Sequence, residues 1–274
     1  MPRPPCFIAN WKMNKVIAEA THYLSDFLKQ WQSAPHAAQI IIAPPFTALD
    51  AVSTRLKQQC AEIALAAQNV HFGPSGAYTG EVSTEMLCEI GCVYVMIGHS
   101  ERRMLFGEND EIVHQKLAAV LKAGLIPILC IGETLQDRHA GLTWQRLSGQ
   151  LNTAFSGEVL KAAETGDVSE WMIAYEPVWS IGTGETPEPA EVSRTHEEIQ
   201  GLIRSLVGNG PPRILYGGSV SENNIGDFMK EPFIDGVLVG GASLSANTFF
   251  KIIEHGARAK SATLKSIRYL KSIR

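Results

Sequence analysis

The chain has no long hydrophobic run. No stretch of about 18 apolar residues occurs in its 274 residues, and the opening "MPRPPCFIANW" has no apolar leader-like segment, so neither a membrane span nor membrane partners are expected. An excess of positive charge is missing too. Lys and Arg total 24 against 28 Asp and Glu, and the net charge of -4 argues against bulk attraction to nucleic acid or an anionic lipid surface. It leaves room for a local anion site. Cysteine is scarce, and its odd count of five argues against a closed disulfide set. Cys6 and Cys130 sit in strand-like apolar runs, where cysteine acts as a small hydrophobe. Cys88 and Cys92 are one helical turn apart, but no His or Cys pair completes four metal ligands, so core packing is expected for them and no metal. No G-x-G-x-x-G follows the first apolar run, and no Ser/Gly-rich linker divides the chain. A single cytoplasmic domain is the expectation.

What the chain does contain is alternation. Short apolar runs ("CFIANW", "QIIIAPP", "IALAAQNV", "VYVMIGHS", "IPILCIGE", "WMIAYEP", "RILYGGS", "GVLVGGAS") are separated mostly by helical patterns. In "VIAEATHYLSDFLKQW", Val16, Ala20, Tyr23, Leu24, Phe27, Leu28 and Trp31 recur near helical spacing. "EIVHQKLAAVLKAG" ends in Gly124, a residue suited to closing a helix. A shorter helical stretch is expected around Thr84 to Ile90. Near-continuous apolar strands, each leading toward a helix, imply a parallel sheet covered by helices, and eight such units imply a closed (β/α)8 barrel. An open doubly wound sheet is the alternative.

Chemistry in such a barrel sits at the C-terminal ends of its strands. There the sequence offers Asn10 and Lys12 after the first run, His99, Ser100 and Glu101 after the fourth, and Glu176 after the sixth. Gly217, Gly218 and Ser219 follow the seventh, and Gly240 and Gly241 the eighth. Singly, each has a plain structural explanation: a solvated lysine, a structural histidine, a turn glycine pair. Together they supply a base, an electrophile, a cation and an anion cradle on one rim. The glycines let backbone N–H groups approach a phosphate. A carboxylate in a dry site can take a proton from carbon beside a carbonyl. A short helix starting at Ser100 would aim N–H groups at one nitrogen of His99 and favour the neutral ring, which can polarise that carbonyl. Lys12 would stabilise the negative oxygen that develops. These roles describe an aldose–ketose isomerisation through an enediolate.

The segments "ANWKMN" (9–14), "IGHSERR" (97–103), "AYEPVWSIGTG" (174–184), "YGGSV" (216–220) and "GVLVGGASL" (236–244), with "CIGET" (130–134) and "AQNVHFGPSGAYTGEVS" (67–83), occur in the order and spacing of one family. Over nearly its whole length the chain resembles the triosephosphate isomerase family. The resemblance implies a TIM barrel that interconverts dihydroxyacetone phosphate and D-glyceraldehyde 3-phosphate, with no cofactor, in glycolysis and gluconeogenesis. By matched position, Glu176 would be the base, His99 the electrophile, Lys12 the electrostatic stabiliser, and Asn10 a partner on the oxyanion side. Gly182, Ser219, Gly240 and Gly241 would hold the phosphate, and Glu101, with Ser100 beside it, would stand behind Lys12 and His99. The resemblance also implies a homodimer in which the 67–83 loop inserts into the partner subunit, bringing Thr79 near Lys12 and His99 of the other copy.

Two stretches depart from the family pattern. Ser180 stands where alanine is usual, and the exit of the loop after Glu176 reads Glu185-Thr186-Pro187, where Pro187 restricts its own backbone and that of Thr186; this is either a stiffer hinge or one of many tolerated hinge sequences. Beyond residue 258, "KSATLKSIRYLKSIR" forms a basic extension with Lys260, Lys265, Arg268, Lys271 and Arg274, and Leu264, Ile267 and Leu270 at helical spacing. The barrel is expected over residues 1–258, with 259–274 either disordered or docked on the surface. Rival readings are a phosphate-binding scaffold without activity, against which all three reacting groups stand, and a phosphosugar epimerase, against which the lack of a metal-ligand set and the "EPVW" and "GTG" segments stand.

Overall fold

The computed structural model describes residues 3–32, 38–59, 61–164, 171–208 and 212–272. Strands and helices alternate as β1 (Cys6–Asn10), α1 (Ile17–Trp31), β2 (Gln39–Ala43), α2 (Phe46–Gln58), β3 (Ile63–Ala67), α3 (Thr84–Ile90), β4 (Tyr94–Ile97), α4 (Ser100–Phe106) and α5 (Asp110–Lys122). They continue as β5 (Ile126–Ile131), α6 (Leu135–His139), α7 (Thr143–Ala154), α8 (Gly157–Glu164), β6 (Met172–Tyr175), α9 (Pro189–Val207), β7 (Arg213–Tyr216), α10 (Ile225–Lys230), β8 (Gly236–Val239) and α11 (Ala246–Ser272). The eight strands are parallel and pair in sequence order, and β1 closes the ring on β8 with Phe7 opposite Val237. The fold is therefore the (β/α)8 barrel that the alternation predicts, not the open sheet.

The strands read as continuous apolar runs because both of their faces are buried. In β1, Cys6 and Ile8 belong to the cluster filling the barrel, while Phe7 and Ala9 belong to the larger cluster under the helices. In β4, Tyr94 and Met96 point in and Val95 and Ile97 point out; in β6, Met172 and Ala174 point in and Ile173 and Tyr175 out. The period of two then sets the rim. Asn10 follows Ile8 in the inward register, and Glu176 follows Ala174. Their polarity breaks the apolar filling just where the barrel opens.

Two local expectations need correction. Val16 is exposed and precedes α1, whose core face begins at Ala20. The Glu19 carboxylate accepts the Val16 N–H at 3.0 Å, so Val16 is where the helix starts and not part of its packed stripe. Core packing holds for Cys92 but not for Cys88, which is exposed. The left-handed Gly91 ends α3 between them, so the two do not share a helical face. Beyond the expected barrel bounds, α11 runs unbroken past residue 258 to Ser272, so residues 259–272 are helical, in keeping with the docked of the two readings. The Lys260 ammonium is buried and donates to the carbonyls of Glu231 (2.8 Å) and Ile234 (2.7 Å). The side chains of Ile267, Arg268, Leu270 and Lys271, and all of Arg274, lie outside the described residues.

Candidate active site

At the end of β1 the buried Asn10 turns its amide oxygen back to accept the Lys12 N–H at 3.0 Å. Lys12 is held at φ 52°, a left-handed conformation that a residue with a Cβ adopts only under constraint. Gln68 supplies part of that constraint, donating to the carbonyls of Lys12 (2.9 Å) and Ala43 (2.8 Å). The Lys12 ammonium forms an ion pair with Glu101 at 2.6 Å.

After β4, His99 caps α4. Its Nδ1 accepts the Glu101 N–H at 3.2 Å, which places the proton of a neutral ring on Nε2. Nε2 faces Glu176 Oε1 at 3.1 Å, but the alignment falls short of a hydrogen bond, and that oxygen has no other partner among the described residues. The second Glu176 oxygen accepts the Ser100 N–H at 2.8 Å. The carboxylate, 1% exposed, is thus parked against the N-terminus of α4.

Two glycines make room for Glu176. A Cβ on Gly132 would lie 1.8 Å from the Glu176 carbonyl oxygen, and one on Gly217 would lie 2.9 Å from its Cγ. The glycines after β5 and β7 therefore bear on the carboxylate as well as on their own turns.

Asn10, Lys12, His99 and Glu176 line one pocket of about 300 Å³, and Gly182, Gly217, Gly218, Ser219, Gly240 and Gly241 complete its wall. The Lys12 stem crosses the cradle closely enough that a Cβ on Gly240 would come within 3.2 Å of Lys12 Cε. Of the other residues singled out in the sequence, Glu101 borders a neighbouring pocket of about 300 Å³ with Lys12 and His99. Ser100 borders a separate one on the far side of Glu176. Thr79 is exposed on the 67–83 loop and reaches no pocket of its own chain's site.

The loop after β6 begins in the short 3-10 turn Val178–Ser180 and continues through the exposed Gly182 and Gly184, both at positive φ (71° and 82°). At its entry the Trp179 indole donates to Glu133 at 2.9 Å, and the Tyr175 hydroxyl donates to the same oxygen at 3.2 Å. Glu133 is fully buried, and burial raises its pKa, opposed by these hydrogen bonds. The Arg138 guanidinium lies over the Trp179 ring at 4.4 Å. Ser180 is fully buried, with its hydroxyl beside that of Tyr216. Pro187 is buried at the exit, with the backbone around it exposed. Sequence reasoning misses Glu133 and Gln68, because a carboxylate inside "CIGET" and an amide inside "AQNV" carry no signal of what they will face.

Among the described residues, no three His, Cys, Asp or Glu side chains are placed to hold a metal ion, and no helix is long and apolar enough to cross a membrane.

A family model described as "Triosephosphate isomerase" matches residues 5–256. The chain is 45% identical to the triosephosphate isomerase of Aquifex aeolicus (strain VF5) over 247 residues, which are 89% of this chain and 96% of the relative. It is 45% identical to that of Synechococcus sp. (strain JA-2-3B'a(2-13)) over 261 residues, 94% of this chain and 99% of the relative. It is 46% identical to that of Nostoc sp. (strain PCC 7120 / SAG 25.82 / UTEX 2576) over 246 residues, 90% and 96% of the two chains.

Proposed function

The chain belongs to the triosephosphate isomerase family, and from that premise we propose that Glu176 carries the proton between the two carbons of a triose phosphate. The protein is an isomerase that interconverts dihydroxyacetone phosphate and D-glyceraldehyde 3-phosphate, a step of glycolysis and, in reverse, of gluconeogenesis. The carrying observation for the residue roles is that Asn10, Lys12, His99 and Glu176 line the same pocket as the glycine cradle.

The phosphate docks on backbone N–H groups of Gly240 and Gly241, with Ser219 beside them, and Gly182 adds its N–H when the lid closes. Glu176 leaves the Ser100 N–H and turns into the pocket. It takes a proton from the carbon beside the carbonyl, and the electron pair of that C–H bond moves toward the carbonyl oxygen. The Nε2–H of His99 and the Lys12 ammonium stabilise that oxygen, while Asn10 fixes the Lys12 backbone. The hydroxyl proton then passes from the first carbon's oxygen to the second's, His99 Nε2 giving one proton and taking the other, and returning the carried proton to the second carbon re-forms a carbonyl at the first, with no net loss or gain of atoms. Ser100 and Glu101 act on the reacting groups from behind. Lid closure removes water and strengthens each of these electrostatic contacts.

The barrel at residues 1–258 carries all of this chemistry, and the 259–274 extension carries none of it. We place the enzyme in the cytoplasm, acting as a homodimer. Supporting the dimer is an exposed apolar face around the pocket beside Lys12 and His99, with Met13, Phe46 and Phe106 on it. We place against that face the 67–83 loop of a second copy, which carries the exposed Thr79.

Glu176→Asp tests the central role. It should fold and bind substrate normally but lose about 10²-fold in kcat, because the base retreats by about 1 Å. Wild-type kcat in a folded Glu176→Asp enzyme would reject the role.

A further inference from the structure

The turn from β1 to α1 contains two residues with a Cβ at positive φ, Lys12 at 52° and Lys15 at 75°. Such backbone persists only where surrounding contacts over-determine it, and it clusters at functional sites. Lys12 lines the pocket and Lys15 does not. What holds Lys15 lies on the other side of the loop. Its ammonium donates to the Leu244 carbonyl at 2.8 Å and sits 4.7 Å from the Tyr23 ring centroid and 5.4 Å from that of Trp11. Both rings are buried and packed edge to face, so they form a fixed wall. Desolvation lowers the Lys15 pKa against the pull of Glu19, in keeping with a head group drawn in from water.

Leu244 is the last residue of the 3-10 helix Gly241–Leu244, and Gly241 at its other end lines the pocket. The carbonyl at the end of a short helix lacks an intrahelical partner, and here Lys15 satisfies it. At the pocket end, the Lys12 stem already lies against Gly240. The loop carrying Lys12 and the helix carrying the cradle therefore touch at both ends of that helix. One contact alone would let the helix pivot, whereas two fix its direction.

We propose that Lys15 is a positioning residue for the phosphate end of the substrate: it clamps the Gly241–Leu244 helix to the Lys12 loop, so that the cradle and the cation keep one spacing. The clamp rests on the reading of Gly240 and Gly241 as phosphate contacts. It acts on binding that is shared by ground and transition states, so its loss appears in KM more than in kcat.

Lys15→Met keeps the length of the side chain and removes the donor and the charge. Its KM for D-glyceraldehyde 3-phosphate should rise about tenfold, the loss that one charge-assisted hydrogen bond commonly carries. Turnover of phosphate-free glyceraldehyde should be unchanged. Lys15→Gly, which relieves the backbone but also removes the clamp, should show the same split and serves if the Met variant folds poorly. Wild-type KM in both variants would overturn the clamp, and so would an equal loss on glyceraldehyde, which signals general structural damage. Failure of the cradle reading is separable: Gly241→Val, whose added side chain would stand where the phosphate docks, would then leave KM for D-glyceraldehyde 3-phosphate at wild type, whatever Lys15 does.

Discussion

His99 and His196 show how far residue type alone falls short of role. Both are buried, and in the sequence both are lone histidines among mixed neighbours. His99 follows a strand, which is why barrel logic singles it out, and its Nδ1 is fixed by the Glu101 N–H. His196 lies inside α9 with Nδ1 3.1 Å from the Phe233 carbonyl, so that nitrogen carries the proton, and Nε2 has no partner among the described residues. Desolvation, opposed by the Phe233 hydrogen bond and aided by the Lys260 charge, lowers its pKa to about 3. The folded state therefore keeps His196 neutral between about pH 6.5 and 3, where the unfolded chain binds a proton. Stability from this residue is complete above the unfolded value and is lost as pH falls through that window. Melting temperature should drop on acidification with a contribution of about one proton from His196, and His196→Gln should flatten the slope across the window. An unchanged slope in the variant would contradict the assignment.

At the scale of elements, strands are legible because burial on both faces writes them as unbroken apolar runs, and α1 and α5 because a single buried stripe repeats near 3.6 residues. Ends are less legible. Val16 has a core residue's chemistry but stands before the first turn of α1, and Gly91 separates Cys88 from Cys92 by leaving the helix. The basic extension leaves two readings open. Lys260 looks like one solvated charge among several, yet α11 packs against α10, and the ammonium reaches the carbonyls of Glu231 and Ile234. Those carbonyls precede β8, on the face of the barrel opposite the pocket. Burial lowers the Lys260 pKa, with Asp235 and Glu231 opposing that shift. Lys260→Met should cost about 1–3 kcal/mol, since it leaves two carbonyls without their charged donor. In a chain of this size that is a fall of several degrees, about 2–4 °C per kcal/mol, readable by calorimetry while kcat stays at wild type. An unchanged melting temperature would show that the extension adds nothing to the barrel.

For the whole molecule, strand alternation explains why residues far apart in the chain meet. Asn10 and Glu176 continue the inward register of β1 and β6, while His99 and the glycines fill the loops after β4, β7 and β8. The rim set was therefore readable from position alone once eight units were counted. The contacts that hold it were not: Gln68 on the Lys12 carbonyl, Lys15 on Leu244, Gly132 against Glu176. Each depends on which strands become neighbours when the barrel closes, and a run of sequence does not contain that. The apolar face beside the site makes a prediction at this scale. Sedimentation should give twice the chain's 29.9 kDa at assay concentrations, because a single copy leaves Met13, Leu105 and Phe106 mostly in water. A monomer of full activity would contradict the dimer.

The most direct test of the proton-transfer account is kcat for Glu176→Gln, which keeps the side chain's shape and its reach to the Ser100 N–H but cannot take up a proton. With saturating D-glyceraldehyde 3-phosphate in a coupled assay, and an unchanged melting temperature showing intact fold, kcat should fall about 10²–10⁴-fold. Turnover near wild type in the folded variant would contradict the account.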